Sequence, residues 1–417
     1  MNRKIIDTEY GSSNVPQTER KGIKSLVFIW IGYLFTVTIM SAGGNIANGS
    51  TNFIQSLEAV YVGYALLFII AYGISLISMK TGLSFGLLTR YTFGNYGSKI
   101  ISLFVTLTLM GWFSINCDIV GSMTNILFPQ INGKIITILF GLLFTLSALK
   151  GKKAMNKIGL LATALVGLIG VLAIVIGFKD ASKLGGIFNI TKESTRTFNE
   201  LVTISVGSVV CGCIAWAPDV MRFAKDKKTI LSTMGIGLGI CGPFMLLIGI
   251  IGMMVYGKYD IALILQEQGF LAYAWIALIA NVWSTAQGNV YSSSLNLTNI
   301  FPKINRKYFV YIFGGLGTIL ALFGIYKNFS SWLSFMATIF PPLGGVIISD
   351  FIFYWKKDFP QLKDIRKNIR FISFISFIIG ILISKIVNVG IVPINSFITS
   401  FFIQMIASII QNISANN

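Results

Sequence analysis

Long apolar stretches are the feature of this chain that most constrains its fold. A helix of about 20 apolar residues crosses the roughly 30 Å hydrocarbon core of a bilayer, and only 12% of the 417 residues are charged. We therefore predict an all-α integral membrane protein with twelve transmembrane spans. Their expected ranges are 25–47, 56–79, 98–126, 134–149, 155–177, 198–221, 230–255, 263–288, 307–326, 330–354, 370–387 and 390–412.

The positive charges predict the orientation of these spans. Lys and Arg are retained on the cytoplasmic side of membrane proteins, and 25 of the 33 basic residues lie in residues 1–24 or in loops that follow even-numbered spans. We expect both termini in the cytoplasm, residues 1–24 as a cytoplasmic segment without a removable signal peptide, and a bacterial cell membrane as the location. The net charge of +18 then reflects topology, not binding to nucleic acid.

The chain lacks the residues that several classes of function require. The chain has no His, its four Cys lie in apolar spans, and it has no phosphate-binding loop. Zinc sites, disulfides, ATP-driven transport and enzymatic catalysis are therefore not expected. A channel would need a continuous polar lining, whereas polar residues concentrate in the middle of spans 1, 3, 6 and 8.

Two spans carry Gly and Pro clusters at matching positions of two halves. Span 1 contains SAGGNIANG at 41–49, and span 6 contains SVGSVVCGCIAWAP at 205–218. Interrupted helices at matching positions indicate a transporter site between two repeats, although Gly in membrane helices also permits close packing. We predict repeats at 25–177 and 178–354, followed by spans 11 and 12 and the C-terminal tail at 355–417.

Span 3 carries an aromatic ring next to an amide. Trp112 and Asn116 are four residues apart and share a helix face, whereas Asp118 points about 160° away from Asn116. A flat ring beside an amide suits the stacking and edge hydrogen bonding of a planar heterocycle. Asp118 either carries protons or bonds to a neighbouring helix.

The end of span 8 lies in ANVWSTAQGNVYSS, residues 280–293, whose polar side chains inside an expected membrane helix include Asn281, Ser284, Thr285, Gln287 and Asn289. Unpartnered polar groups in hydrocarbon cost on the order of a few kcal/mol each, so this cluster predicts a site that a polar solute or ion fills.

The chain resembles the nucleobase:cation symporter-1 family, in particular the bacterial cytosine permeases, along nearly its whole length. The matching segments are VPQTERKG (15–22), KTGLSFGLLTRYTFG (80–94), GWF (111–113), DVMRF (219–223), NVWST (281–285), FPPLGGVIISD (340–350) and GIVPIN (390–395). The resemblance implies a leucine-transporter-like inverted repeat of five plus five helices with two C-terminal helices. It also implies sodium-coupled import of a nucleobase or related ring by alternating access, with the lipid bilayer but no obligate protein partner.

The resemblance also implies site residues. Trp112 falls on the family's stacking tryptophan, and Ser208 falls on a substrate-contacting serine of span 6. The family's Na⁺ site maps onto backbone carbonyls and hydroxyls of spans 1 and 8, namely the carbonyls of Gly32, Phe35 and Asn281 and the hydroxyls of Ser284 and Thr285. Oxygen ligands of this kind suit a small hard cation.

Departures from the family pattern leave the solute open. Val209 replaces an aromatic residue that would complete the ring sandwich, Cys211 replaces a serine, and Gln287 replaces an acidic residue, while Asn116 matches an amide of related hydantoin transporters. Edge hydrogen bonds discriminate between rings, so cytosine, hydroxymethylpyrimidine, another purine or pyrimidine, and a hydantoin-like ring all remain candidates. Coupling to protons through Asp118 is the alternative to sodium.

Overall fold

The computed structural model describes residues 10, 13–149, 152–258, 261–301, 303–356, 359, 362, 365, 368–387 and 389–416. Residues 1–9, 11 and 12 of the predicted N-terminal segment lie outside this description. Within it the chain forms helices α1 to α16 and no named β-strand. The helices are Ile23–Leu34, Val37–Gly49, Phe53–Thr81, Phe85–Leu127, Gly133–Leu149, Lys152–Lys183, Phe198–Gly207, Ala217–Met221, Lys227–Ile236, Gly242–Tyr256, Ile261–Glu267, Leu271–Ile300, Arg306–Ala321, Phe329–Asp350, Phe371–Ile386 and Val392–Asn416.

Most predicted spans coincide with observed helices. Six helical stretches of the described chain are long and apolar enough to cross a membrane, and the number rises to eight when each of two bent pairs counts as one span. The shorter apolar helices α5 and α15 lie at predicted spans 4 and 11. Helix α4 is longer than predicted span 3, because the segment 85–93 joins it across Gly94, whose φ of 78° is outside the helical range.

Spans 1 and 6 are broken, as predicted. Helices α1 and α2 meet at 57°, and α7 meets the stretch Gly212–Met221 at 40°. The expected position of the first break was wrong: the chain leaves the helix at Phe35 and Thr36, and the 41–49 cluster lies inside α2. The break in span 6 falls at 208–211 within the predicted cluster, followed by a π-helical turn at Gly212–Trp216.

Glycines bring the helices of spans 1, 2, 6 and 7 into backbone contact. A Cβ at Gly43 of α2 would overlap the Leu246 carbonyl of α10, and one at Gly249 of α10 would overlap the Met40 carbonyl of α2. A Cβ at Gly63 of α3 would likewise overlap the Ser205 side chain of α7, so α3 and α7 also pack closely. The first contact joins span 1 to span 7, and the second joins span 6 to span 2. In a five-plus-five repeat span 6 corresponds to span 1 and span 7 to span 2, so the two contacts are equivalent, as an inverted repeat requires.

The predicted start of span 8 was wrong. Residues Ile261–Glu267 form the separate short helix α11, which ends where Gly269 takes a φ of 85°. The spanning helix is α12, Leu271–Ile300. Its polar cluster at 281–289 therefore lies in the middle of the helix and not at its end.

A buried ion pair joins the last two helices to the second repeat. Asp350, at the end of α14, is fully buried and accepts hydrogen bonds from Arg370 at 2.7 and 2.9 Å. Gln404 of α16 donates to the same carboxylate at 2.9 Å. Because removal of either charge would leave the other buried and unpaired, this contact fixes α15 and α16 against α14.

We predict that Gly249→Ala destabilises the protein. The added methyl group would push against the Met40 carbonyl, and overpacking of this kind costs about 1–3 kcal/mol. Gly239→Ala is the matched control, because no atom lies within 4 Å of a Cβ built at Gly239. Thermal unfolding followed by size-exclusion chromatography should show a lower midpoint for Gly249→Ala alone; equal midpoints would contradict the close packing of α2 on α10.

Candidate solute and cation site

The Asn281 side chain bridges the break in span 1. Phe35 (φ −78°, ψ 77°) and Thr36 (φ −136°, ψ 143°) depart from helical geometry and so leave backbone groups without helical partners. The Asn281 Oδ1 atom accepts a hydrogen bond from the Val37 N–H at 2.6 Å, and its Nδ2 donates to the Phe35 carbonyl at 2.7 Å. A single amide thus satisfies both sides of the break.

This bridge joins two of the five residues predicted as cation ligands, Phe35 and Asn281; that all five surround one ion stays a prediction. Gly32 lies about one turn before Phe35, and Ser284 and Thr285 lie about one turn after Asn281. The Ser284 hydroxyl donates to the Asn281 carbonyl at 3.3 Å, so its lone pairs stay available. The Thr285 hydroxyl oxygen is buried and has no partner in the described part of the chain.

The charge of this region favours a cation bound by neutral oxygens. The C-terminal end of α1, with its partial negative charge, stops at Leu34 directly before the break. The Phe35 carbonyl oxygen can accept two hydrogen bonds or ligands, so its bond from Asn281 leaves one position free. The Asn281 carbonyl lies inside α12, where it accepts a helical N–H as well as the Ser284 hydroxyl, so an ion would displace the 3.3 Å bond. Among the described residues no three His, Cys, Asp or Glu side chains cluster in a way that could hold a metal.

Trp112 and Asn116 lie on one face of α4, as predicted. Trp112 is 9% exposed. Its ring makes edge-to-face contacts with Phe329 and Trp332 of α14, with ring centroids 6.2 and 6.0 Å apart. Asn116 is fully buried, and neither its oxygen nor its nitrogen has a hydrogen-bond partner in the described chain. A buried amide with both atoms unsatisfied is costly, which points to a ligand that completes its hydrogen bonds.

The break in span 6 is connected to Trp112 through α14. A Cβ at Gly207 would overlap the backbone of Leu333, the neighbour of Trp332. Ser208 donates to the Ser205 carbonyl at 2.7 Å and lies 3.3 Å from the Tyr64 hydroxyl.

Val209 and Cys211, the other two predicted substrate contacts of span 6, are buried in the same break. Neither side chain offers a strong hydrogen bond, so Ser208 is the polar group with which this break could contact a solute.

The Gln287 side chain contacts α5 and points away from the side of α12 that carries Thr285. It lies 200° around α12 from Thr285, and its Nε2 donates to the Ser147 carbonyl at the end of α5 at 2.8 Å. Trp283 donates to the Ser147 hydroxyl at 3.3 Å from the same side. The Gln287 Oε1 is buried without a described partner, so a contact between Gln287 and substrate stays a prediction.

Asp118 is hydrogen-bonded to the turn that precedes α14. Its carboxylate accepts hydrogen bonds from the Tyr326 N–H at 2.8 Å and from the Ser122 hydroxyl at 2.9 Å. The Tyr326 hydroxyl in turn lies 3.1 Å from the Ser41 hydroxyl of α2. Of the two roles open for Asp118, these bonds favour the attachment of neighbouring elements.

Sequence analysis missed two aromatic residues of the site. Phe329 and Trp332 sit in the first turn of α14, where aromatic residues are common at the membrane interface, and no sequence signal separates the two roles. The buried Trp332 Nε1 has no partner among the described residues.

Comparison with known proteins identifies the family. Residues 14–407 match the model described as a permease for cytosine/purines, uracil, thiamine and allantoin. The chain belongs to this permease family. It is therefore a multi-pass membrane transporter and not an enzyme, and the resemblance to nucleobase:cation symporters is confirmed.

Relatives match over almost the full chain. The cytosine permease of Escherichia coli K12 is 28% identical over 410 residues, which cover 97% of this chain and 96% of that protein. The inward-facing structure of Mhp1 superposes with a TM-score of 0.85 at 17% identity, covering 97% of this chain and 94% of Mhp1. The closed, bromovinylhydantoin-bound Mhp1 gives 0.81 at 18% identity, covering 95% and 93%.

A more distant structure shares the fold. A Na⁺-coupled sialic acid symporter superposes with a TM-score of 0.62 at 14% identity, covering 98% of this chain and 92% of that one. With the Mhp1 likeness, this confirms the predicted all-α inverted-repeat fold with two further C-terminal helices. The repeat boundaries at 25–177 and 178–354 stay predictions.

We predict that Asn281→Ala lowers stability even when no ion or solute is present. The substitution leaves the Val37 N–H and the Phe35 carbonyl unpaired, at about 1–3 kcal/mol for each buried group. Ser284→Ala is the control, because it removes only a 3.3 Å bond to a carbonyl. Thermal unfolding in sodium-free buffer measures both; equal losses would mean that Asn281 does not support the break.

Proposed function

We propose that this protein is a sodium-coupled symporter that imports a small planar nitrogen heterocycle by alternating access, with cytosine as the first candidate. The observation that carries the solute class is the fully buried Asn116 amide, unpartnered at both atoms, one turn from the Trp112 ring. The ring offers a stacking face, and the amide offers one donor and one acceptor side by side.

The amide pattern favours rings that carry adjacent donors and acceptors. The pyrimidine edge of cytosine has a ring nitrogen that accepts beside an amino group that donates, which matches both atoms of a side-chain amide. The similar proteins are named for cytosine or bind bromovinylhydantoin, both planar nitrogen rings. Hydroxymethylpyrimidine, other purines or pyrimidines and hydantoin-like rings present related edges and form the competing set.

Sodium is the proposed coupling ion because the oxygens beside the span 1 break are neutral. Carbonyls of Gly32, Phe35 and Asn281 and the hydroxyls of Ser284 and Thr285 would hold the ion, and a neutral hydroxyl is a poor proton carrier because it does not titrate near pH 7. The unpartnered Thr285 hydroxyl is the best single support for this set. Asp118, the rival proton carrier, already accepts two hydrogen bonds.

The proposed mechanism links ion and solute through the two broken spans. Sodium would tie α12 to the end of α1, while the solute would contact α4, α14 and the break of span 6. An ion that stabilises one arrangement of these helices raises solute affinity, and the solute must raise sodium affinity by the same factor. The protein would lie in a bacterial cell membrane with both termini in the cytoplasm, so that this cycle imports the solute.

A thermal-shift screen tests the solute class. Purified protein in sodium buffer would be mixed with cytosine, other bases, hydroxymethylpyrimidine, hydantoins and aliphatic amino acids. We expect stabilisation by planar heterocycles, because a ligand that binds the folded state raises its stability by mass action. Stabilisation by flexible aliphatic compounds alone would refute the heterocycle proposal.

We predict that Trp112→Ala weakens cytosine binding. Loss of the stacking face should cost roughly 1–3 kcal/mol, or roughly five- to a hundred-and-fifty-fold in affinity. Trp112→Phe is the control for general disruption, because it keeps an aromatic face and should lose less. Equilibrium binding of labelled cytosine to purified protein measures both, and unchanged affinity in Trp112→Ala would assign the ring to packing.

We predict that Thr285→Val removes the stabilisation by sodium and cytosine but does not lower stability in sodium-free buffer. In choline buffer the variant should be at least as stable as the parent, since the hydroxyl that it removes is buried and unpartnered. With sodium and cytosine present, the parent should gain stability and the variant should not. Thr298→Val is the matched control. The Thr298 hydroxyl donates to the Ser294 carbonyl at 2.7 Å and is not among the proposed ligands, so this variant should keep the gain in stability from sodium and cytosine.

The same measurement separates sodium from proton coupling. Asp118→Asn should keep the stabilisation by sodium. Stabilisation that follows pH, ignores sodium and disappears in Asp118→Asn would assign coupling to protons.

A further inference from the structure

Three buried polar side chains recur on successive turns of α12, beginning at the proposed cation site. Thr285, Asn289 and Ser293 are four residues apart, or about 6 Å of helix rise per step. Asn289 is 7% exposed and Ser293 is fully buried. The Thr285 Oγ1, the Asn289 Nδ2 and the Ser293 Oγ all lack a hydrogen-bond partner in the described part of the chain.

These three side chains lie on one side of the helix. Four residues advance 400°, so the row drifts by only 40° per step and stays within an arc of about 80°. The opposite side, which carries Trp283, Gln287 and Ser294, contacts other elements. Trp283 and Gln287 donate to Ser147 of α5, and Ser294 accepts from Arg306 at 2.9 Å.

The missing bonds along this row are unusual for hydroxyls in membrane helices. Ser and Thr hydroxyls normally donate to a backbone carbonyl three or four residues earlier. In the same helix Ser294 donates to the Tyr291 carbonyl and Thr298 to the Ser294 carbonyl, both at 2.7 Å. Thr285 and Ser293 do not, so their oxygens keep their capacity for a ligand at a cost of about 1–3 kcal/mol each.

We propose that Asn289 and Ser293 form a second, transient cation site, through which the ion leaves Thr285 toward the cytoplasm. The Ser293 hydroxyl oxygen is buried and unpartnered, and the Asn289 amide, whose unpartnered atom is Nδ2, also carries an oxygen; both oxygens are hard, neutral ligands. Neutral ligands hold an ion weakly enough for it to move on, as successive sites in conducting proteins require. The row covers about 12 Å of helix, from the middle of α12 toward its end.

This inference rests on the proposed sodium coupling and on the proposed topology, which places the loop after α12 in the cytoplasm. Arg306, one of the basic residues that follow α12, lies on the other side of the helix: its guanidinium is 4.5 Å from the Tyr291 ring centroid and donates to Ser294. The row itself contains no charged residue.

The test separates equilibrium binding from ion release in reconstituted full-length protein. In Asn289→Leu/Ser293→Ala, the sodium concentration that half-saturates labelled cytosine binding should stay within about twofold of the parent, while sodium-driven uptake falls about tenfold. Ser294→Ala is the matched control and should keep the parent uptake rate. A double variant with parent uptake rate, in a protein whose parent is sodium-driven, would overturn the second site alone.

Charge substitutions at Asn289 add a test of sign. Asn289→Asp should retain part of the sodium-driven uptake, because a carboxylate still accepts a cation but holds it more tightly, whereas Asn289→Lys should abolish uptake through repulsion. Equal loss in both variants, with thermal unfolding midpoints near that of the parent, would show a packing role and refute the proposal. If the parent itself shows no sodium dependence of binding, the proposed function fails first, and this inference fails with it.

Discussion

The amide of Asn281 is the contact on which the centre of this transporter depends. A helix that breaks in a low-dielectric environment leaves backbone groups that nothing in lipid can satisfy. Asn281 supplies one acceptor to Val37 and one donor to Phe35, and so it permits a break that contains neither Gly nor Pro. Because the same helix carries Ser284 and Thr285, the break of span 1 and the proposed cation ligands form one unit.

The solute side of the site has a corresponding connection through α14. Trp332 touches Trp112, and the backbone of Leu333 touches Gly207 at the second break. A ring stacked on Trp112 would therefore contact elements of both repeats. The glycine contacts fix α2 against α10 in the same way. A ligand that favours one arrangement of α4, α14 and the second break would therefore change the packing of helices that contact the rest of the bundle.

Sequence patterns predicted more of the fold than of the site. Hydropathy located the spans, because a bilayer demands about 20 apolar residues whatever the sequence. The glycines of span 1 were misleading, since Gly43 permits a close backbone contact and does not unwind the helix. The residue type of Asn281 indicated a polar site, but only coordinates distinguish a backbone ligand from a side chain that bridges the break. The family resemblance, and not periodicity, provided the cation set.

Uptake of labelled cytosine into proteoliposomes under imposed ion gradients tests the central claim most directly. We expect uptake above equilibrium when sodium is high outside and pH is equal on both sides, and none above equilibrium when a pH gradient is imposed without sodium. Accumulation driven by the pH gradient alone, with no response to sodium, would contradict sodium coupling.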